Sequence, residues 1–178
     1  MLTIRPYSAG VTLLELLVVL AVVSVVAAIG APPLDRWLAR HRVAAPLQAQ
    51  HTDLHRARHE AVMRTRVVVV CASDDAHACS ANDWSAGWIS FVNTDGDQPA
   101  ERDASEPLLS VHQAAPHTRL ASNRTRYAFR GDLRRATNGR VVSCDAAGRV
   151  SPRVLVVSFT GRARLTPPGT SIGSLACP

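Results

Sequence analysis

The apolar positions of this sequence begin with one long, nearly unbroken run. Residues 11–31 are apolar except at Thr12, Glu15, Ser24 and Gly30. As a helix, a run of this length would span about 31 Å, roughly the thickness of one bilayer core. The pattern predicts a membrane-spanning helix behind a polar leader of residues 1–10. A cleaved secretory signal peptide is the alternative.

After Pro32 and Pro33 the spacing changes to that of an amphipathic helix. Prolines kink or break a helix, so we expect a bend there. Apolar residues then recur at spacings of three, four and seven, which predicts a helix that continues through residues 32–65 with one buried side. The predicted stripe consists of Leu34, Trp37, Leu38, Leu47, Leu54, Ala57, Ala61 and Val62.

From residue 66 onward the apolar pattern has a period of two, with β-branched runs between glycine-containing turns. This pattern is typical of short strands. The predicted strands are residues 66–71, 88–92, 108–111, 119–121, 126–130, 140–144, 153–159 and 162–166. A helix followed by many short strands indicates an α+β fold, with a long N-terminal helix packed on antiparallel β-sheets. Residues 66–178 would form this β-rich head and a C-terminal tail.

The four cysteines are Cys71, Cys79, Cys144 and Cys177. Behind a membrane anchor they indicate an oxidising compartment, and three pairings are possible. We favour Cys71 with Cys79, closing a small loop, and Cys144 with Cys177, fixing the tail to a strand. A zinc site is the alternative, but the spacing of the cysteines is poor for zinc.

Charge is distributed unevenly along the chain. All 20 basic residues are arginine, and the chain carries a net charge of +6. Residues 71–106 hold eight acids and one arginine (net −7), whereas residues 119–164 hold eleven arginines and two acids (net +9). A basic face attracts polyanions. The alternative is that arginine is simply the usual solvent-exposed residue of this protein.

The start of the apolar run carries a specific motif. Gly10-Val11-Thr12-Leu13-Leu14-Glu15 resembles the class III signal of type IV pilins and pseudopilins. The resemblance implies that a prepilin peptidase cuts between Gly10 and Val11 and methylates the new amino terminus. It also implies an inner-membrane helix that later enters a filament of major and minor pilins. Glu15 would then neutralise the cationic amino terminus of a neighbouring subunit.

The head is similar to the FimT/GspH family of minor pilins. The resemblance rests on Trp84-Ser85-Ala86-Gly87-Trp88, on the turn Phe129-Arg130-Gly131, and on Gly161-Arg162-Ala163-Arg164. It implies a type IV pilin fold and a periplasmic head. It also implies that the Gly-Arg-x-Arg motif binds DNA during natural transformation.

Arg162 and Arg164 are the predicted DNA-binding residues, with Gly161 forming the turn before them. Positions two apart on a strand face the same side, about 7 Å from each other, which is close to the spacing of successive phosphates along one DNA strand. Guanidinium groups bind phosphate oxygens well. Arg140, Arg149 and Arg153 are possible helpers by charge alone. Because aromatic residues make up only 4% of the chain, we expect backbone contacts that do not read sequence.

Two further hypotheses concern other chemistry. His51, His55 and His59 are spaced as on one helix face, which would suit a metal, although a solvated face is the simpler interpretation. No catalytic or cofactor motif is recognisable, so neither an enzyme nor a cofactor is expected. The alternative function is that of a GspH-like pseudopilin of type II secretion, or a structural minor pilin that primes pilus assembly without binding DNA.

Overall fold

The computed structural model describes residues 10–80, 83–113, 115–132 and 135–171, together with residues 173, 175 and 177. The predicted leader therefore lies outside the described residues, except for Gly10. The chain divides into two compact units, Met1–Trp37 and Leu38–Pro178. Helix α1, Leu13–Arg64, begins in the first unit and ends in the second.

The first unit contains the apolar part of α1. Large side chains from Val11 to Val26 are exposed there. Within the described residues, no single helix is long and apolar enough to span a membrane. Two stretches of α1 with a bend between them, Leu13–Ala28 and Pro33–Arg64, together have the length and composition of a span.

The second unit buries one side of α1, but the predicted stripe is only partly right. Leu47, Leu54, Ala57 and Ala61 are buried as predicted. The prediction was wrong at four positions, which are exposed: Leu38 and Val62 in this unit, and Leu34 and Trp37 in the first. The buried side instead follows a series at spacings of three and four: Ala39, Val43, Leu47, Gln50, Leu54, Ala57 and Ala61.

In the described part of the chain eight strands follow α1, as predicted, and their bounds differ from the predicted ones by at most two residues. They are β1 (Val67–Ala72), β2 (Gly87–Asn93), β3 (Leu108–Gln113), β4 (Thr118–Ser122), β5 (Arg126–Phe129), β6 (Gly139–Asp145), β7 (Arg153–Val157) and β8 (Ala163–Leu165). They form two antiparallel four-stranded sheets, which we call the first sheet (β3-β2-β1-β5) and the second sheet (β4-β6-β7-β8). The α+β fold with a long N-terminal helix is confirmed.

The main core lies where α1 meets both sheets. Leu47, Leu54 and Ala61 of α1 share one cluster with Val70 of the first sheet and Leu155 of the second. Two smaller clusters lie elsewhere, one around Phe91 of β2 and one around Val142 of β6. The helix therefore supports the inner faces of the two sheets.

The segment between Trp84 and Trp88 is part of this core. Both indoles are buried, and each N–H has a partner: Trp84 Nε1 donates to Arg124 O at 2.9 Å, and Trp88 Nε1 donates to Asp53 Oδ2 at 2.7 Å. Buried indoles need such partners. This motif, which carries part of the family resemblance, therefore packs between α1 and the sheets and connects them by a hydrogen bond.

Candidate nucleic-acid interface

The Gly161 motif begins in the tight turn between β7 and β8. Ser158 N donates to Arg162 O at 3.0 Å, and Gly161 N donates to Ser158 O at 2.8 Å. Gly161 has a φ of +76°, which favours glycine, and a Cβ there would lie 3.0 Å from a ring carbon of Phe129. Glycine therefore lets the turn pack directly on the core.

Arg162 and Arg164 project away from that core. Both are exposed, whereas Ala163 between them is buried. Strand β8 begins at Ala163, so Arg162 lies just before the strand, but its carbonyl still accepts from Ser158 N, directly after β7. Because side chains alternate across a strand, both guanidiniums leave from the outer face of the second sheet. Within the described part of the chain, neither forms an ion pair.

Helix α1 supports β8 from behind. His55 Nε2 lies 3.1 Å from Ala163 O, the carbonyl between the two arginines. The ring of His51 lies 4.4 Å from that of His55, and burial, followed by the neighbouring His55, lowers the pKa of His51. Among the residues that the structure describes, no group of three metal-ligating side chains is found. His55 thus holds the edge strand that presents the arginines.

Of the three possible helpers, Arg140 shares the outer face with Arg164. Arg140 pairs with Val156, and Val156 pairs with Arg164, so the two arginines lie in one cross-strand row. Neighbouring strands are about 4.8 Å apart, which places the two backbones about 10 Å apart. Arg140 is exposed. The structure therefore adds a third cation to the same surface.

The structure does not bring the other two helpers to this surface. Arg149 is bound to Asp145 through Nη2 to Oδ1 at 2.8 Å and through Nε to Oδ2 at 2.9 Å. Arg153 is two and four residues from Leu155 and Val157, which face the core, so it lies on the same side of β7 as they do. This is the inner face of the second sheet, opposite to the face that carries Arg164. Charge alone could predict neither the Asp145 carboxylate that binds Arg149 nor the strand face on which Arg153 lies.

The Arg149 pair predicts a pH-dependent stability. Hydrogen bonds from the Arg149 guanidinium hold the pKa of Asp145 at about 2, below the roughly 3.9 of an unfolded chain. The pair therefore stabilises the fold fully above about pH 4, and this stabilisation is lost as the pH falls through about 2. We expect Asp145→Asn to lower the free energy of unfolding by about 1–2 kcal/mol at pH 7, and the deficit to shrink toward pH 2.

Chemical denaturation at pH 7, 4 and 2.5 measures this deficit. Asp74→Asn is the control, because Asp74 is exposed, and it should change stability little at any pH. A deficit of constant size from pH 7 to pH 2.5 would rule out the ionised pair as its source.

Two residues near the motif were not predicted from the sequence. Phe159, in the β7–β8 turn, is 65% exposed. The predicted strand of residues 153–159 placed Phe159 at its end. An apolar residue directly before Thr160-Gly161 also fits a turn. Arg119 and Ala121 of β4 are two residues apart and therefore face the same side. Ala121 pairs with Val142, which is on the outer face, so Arg119 lies there as well.

Both favoured disulfides are present. Cys71–Cys79 closes the loop after β1, and Cys144–Cys177 joins β6 to the C-terminal tail. Leu175 of the tail packs on the cluster of Val142, Cys144 and Val154, on the outer face of the second sheet. A Cβ at Gly173 would lie 3.0 Å from Arg140 Nη1. The tail therefore borders the basic surface beside Arg140.

The predicted processing residues lie at the start of α1. Gly10 and Val11 are exposed and precede the helix. Glu15 N donates to Thr12 Oγ1 at 3.2 Å, which makes Thr12 the N-cap. The helix thus begins at Leu13, the third residue after the predicted cleavage position.

Two family models match the chain. One, described as type II transport protein GspH, matches residues 48–161, and the other, the prokaryotic N-terminal methylation motif, matches residues 5–31. This chain belongs to the GspH family. No curated protein sequence matches it significantly.

Solved structures share the fold of this chain. The type IV minor pilin FimU of Pseudomonas aeruginosa aligns with a TM-score of 0.53 and 22% identity over 72% of this chain and 90% of FimU. The minor pseudopilin EpsH of the Vibrio cholerae type 2 secretion system aligns with a TM-score of 0.53 and 10% identity over 72% of this chain and 98% of EpsH. The GspH-family chain thus has the fold of minor pilins and pseudopilins.

Family membership defines the general role. The chain is a minor pilin or pseudopilin of the GspH type, a membrane-anchored component of a pilus or pseudopilus that assembles with other pilins. The family and the fold are those of structural pilins rather than enzymes.

Proposed function

We propose that this GspH-family protein binds extracellular DNA during natural transformation, through the phosphate backbone and without reading sequence. The observation that carries the proposal is the exposure of Arg162 and Arg164 on one face, with neither forming an ion pair in the described part of the chain. An unpaired guanidinium keeps its charge and its N–H donors for phosphate oxygens. Gly161 and His55 support the presentation of both side chains.

The shape of the surface favours backbone contacts. α1 buries Leu47, Leu54 and Ala61 against the sheets, so this side of the helix does not enter a major groove. Phe159 is an exposed aromatic beside the motif, whereas base-stacking surfaces use several in a row. Affinity should therefore depend on charge and salt, and hardly on sequence.

The N-terminal segment would deliver the head to its ligand. A prepilin peptidase would remove residues 1–10 and methylate Val11, leaving residues 11–31 as a single inner-membrane span with Glu15 available to a neighbouring amino terminus. Residues 32–65 would carry the helix to a periplasmic head of residues 66–178. A few phosphate contacts give one head weak affinity, and several copies in a filament would raise it by avidity.

A second candidate function is structural. The fold similarity to EpsH, a pseudopilin of a type 2 secretion system, and the description of the matching family favour a GspH-like pseudopilin or a priming minor pilin that does not bind DNA. Under this alternative the arginine face would contact other subunits.

A binding assay with unrelated DNA sequences separates the two functions. We expect the full chain in nonionic detergent to bind duplexes of about 30 base pairs with dissociation constants that agree within about threefold between sequences. Log affinity should fall linearly with log salt, because the contacts are with phosphates. Fluorescence anisotropy measures both. Absence of binding at low salt would favour the structural alternative, and a strong sequence preference would contradict backbone recognition.

A further inference from the structure

A second group of arginines surrounds a shallow surface hollow beside the β7–β8 turn, which encloses no room for a water molecule, so a ligand would lie on top of it. Arg58 comes from α1, Arg130 directly follows β5, and Arg135 lies in the loop between β5 and β6. These three positions are distant in sequence and meet only in the fold. The hollow is lined by Arg58, Phe129, Arg130, Arg135, Ala136 and Thr160.

The positive charges of the three arginines are not balanced by any other residue that lines the hollow. None of the lining residues is acidic. Within the described residues, no ion pair involves Arg58, Arg130 or Arg135. Three guanidiniums that share one hollow repel each other unless an anion joins them.

Arg58 gives an independent indication of a missing partner. Its Nε is buried and makes no hydrogen bond with any described residue. A buried donor without an acceptor destabilises the protein. Because this Nε is closed to solvent, an oxygen of a bound anion would reach it only after the Arg58 side chain rotates toward the surface.

The hollow is joined to the proposed DNA-binding motif by a fixed backbone. Ala136 N donates to Phe159 O at 2.8 Å, and Thr137 N donates to Ala128 O at 3.1 Å, so the loop is tied to the turn and to β5. Thr160 of the hollow is two residues from Arg162. Two residues span at most about 7 Å, so the hollow and the motif are neighbours on either side of one turn.

We propose that this arginine hollow is a second phosphate-binding site, which holds another phosphate of the same DNA strand that Arg162 and Arg164 contact. The proposal rests on the proposed DNA binding and adds the path of the strand. The DNA backbone would run around the β7–β8 turn. It would pass from Arg164, beside the exposed Phe159, to the hollow formed by Arg58, Arg130 and Arg135. Guanidinium groups are common donors to phosphate.

Charge-neutral variants test the hollow in the full chain. In Arg130→Gln/Arg135→Gln, two exposed guanidiniums are removed while Arg162 and Arg164 remain. We expect DNA affinity at low salt to fall about tenfold. The slope of log affinity against log salt should become shallower by about 1 for each phosphate that the variant no longer neutralises.

The matched control is Arg42→Gln/Arg56→Gln, which removes the same charge from exposed positions on α1. It should keep the affinity within about twofold of the parent and leave the salt slope nearly unchanged. If the parent binds DNA and the hollow variant behaves like this control, the hollow proposal is overturned and DNA binding at Arg162 and Arg164 stands. If the parent does not bind DNA, both proposals are overturned.

A second measurement does not depend on how the double variant folds. The Nε–H resonance of Arg58, assigned from its loss in Arg58→Gln, should shift on titration of the labelled parent with a short duplex. Inorganic phosphate at the same phosphate concentration distinguishes the source of the anion. A shift with DNA and a weaker one with phosphate supports the proposal. A shift with inorganic phosphate alone, or with neither, overturns it.

Discussion

Replacing both motif arginines, Arg162→Ala/Arg164→Ala, should weaken DNA binding by the full chain about a hundredfold at low salt. Each charge-assisted contact with a phosphate contributes about 1.5 kcal/mol, and two such contacts correspond to roughly two orders of magnitude in affinity. Since both side chains are exposed and Ala163 between them supplies the buried contact, the fold should be retained. Anisotropy titrations measure the affinity, and circular dichroism checks the fold.

The comparison needs a control for net charge, because any basic protein attracts DNA to some extent. Arg42→Ala/Arg56→Ala removes the same two charges from exposed positions of α1, and it should weaken binding less than about threefold. Equal effects in the two variants would mean that overall charge, rather than the Gly161 motif, determines affinity.

The second large effect concerns the fold, where Gly87→Ala should destabilise the protein by about 3 kcal/mol or more. Gly87 has a φ of +134°, and a Cβ there would lie 2.4 Å from His112 O, a backbone atom of the neighbouring strand β3. The added methyl group must push β2 and β3 apart. The adjacent Trp88, which stacks on His112 with ring centres 4.0 Å apart, would be displaced with them.

Denaturant unfolding followed by near-ultraviolet circular dichroism measures this destabilisation. Gly96→Ala is the matched control, because Gly96 also has a positive φ of +78° but has open space where the Cβ would be. It should cost only about 1 kcal/mol. If both variants are destabilised equally, backbone conformation alone would explain the effect, and the close approach to His112 would play no part.

The strands of the head were predictable because their signals are local. Short apolar or alternating segments are separated by turn residues, and each strand of the two sheets falls on one such segment. The stripe of α1 was less predictable. Large residues such as Trp37 and Leu38 dominate a hydrophobic pattern, yet both are exposed, whereas the small Ala39 is buried. Close packing selects size as well as polarity.

The site was predictable only in part, for a related reason. Alternation along a strand correctly placed Arg162 and Arg164 on one side. It could not assign a side to Arg153, because β7 reads Val154-Leu155-Val156-Val157 and is apolar on both faces. The outer face is apolar there because the tail, with Leu175, packs on Val154. The meeting of distant segments, which brings Arg58 and Arg135 to one hollow, leaves no periodic signal in the sequence.

The salt dependence of DNA binding, compared between the parent and Arg162→Ala/Arg164→Ala, tests the central claim most directly. The slope of log affinity against log salt counts the phosphates that the protein neutralises, at about 0.9 for each phosphate. The account predicts a slope that is shallower by about 1.8 in the double variant, because two phosphates are no longer neutralised. An unchanged slope would show that neither guanidinium contacts a phosphate, and it would contradict the assignment of the DNA-binding surface.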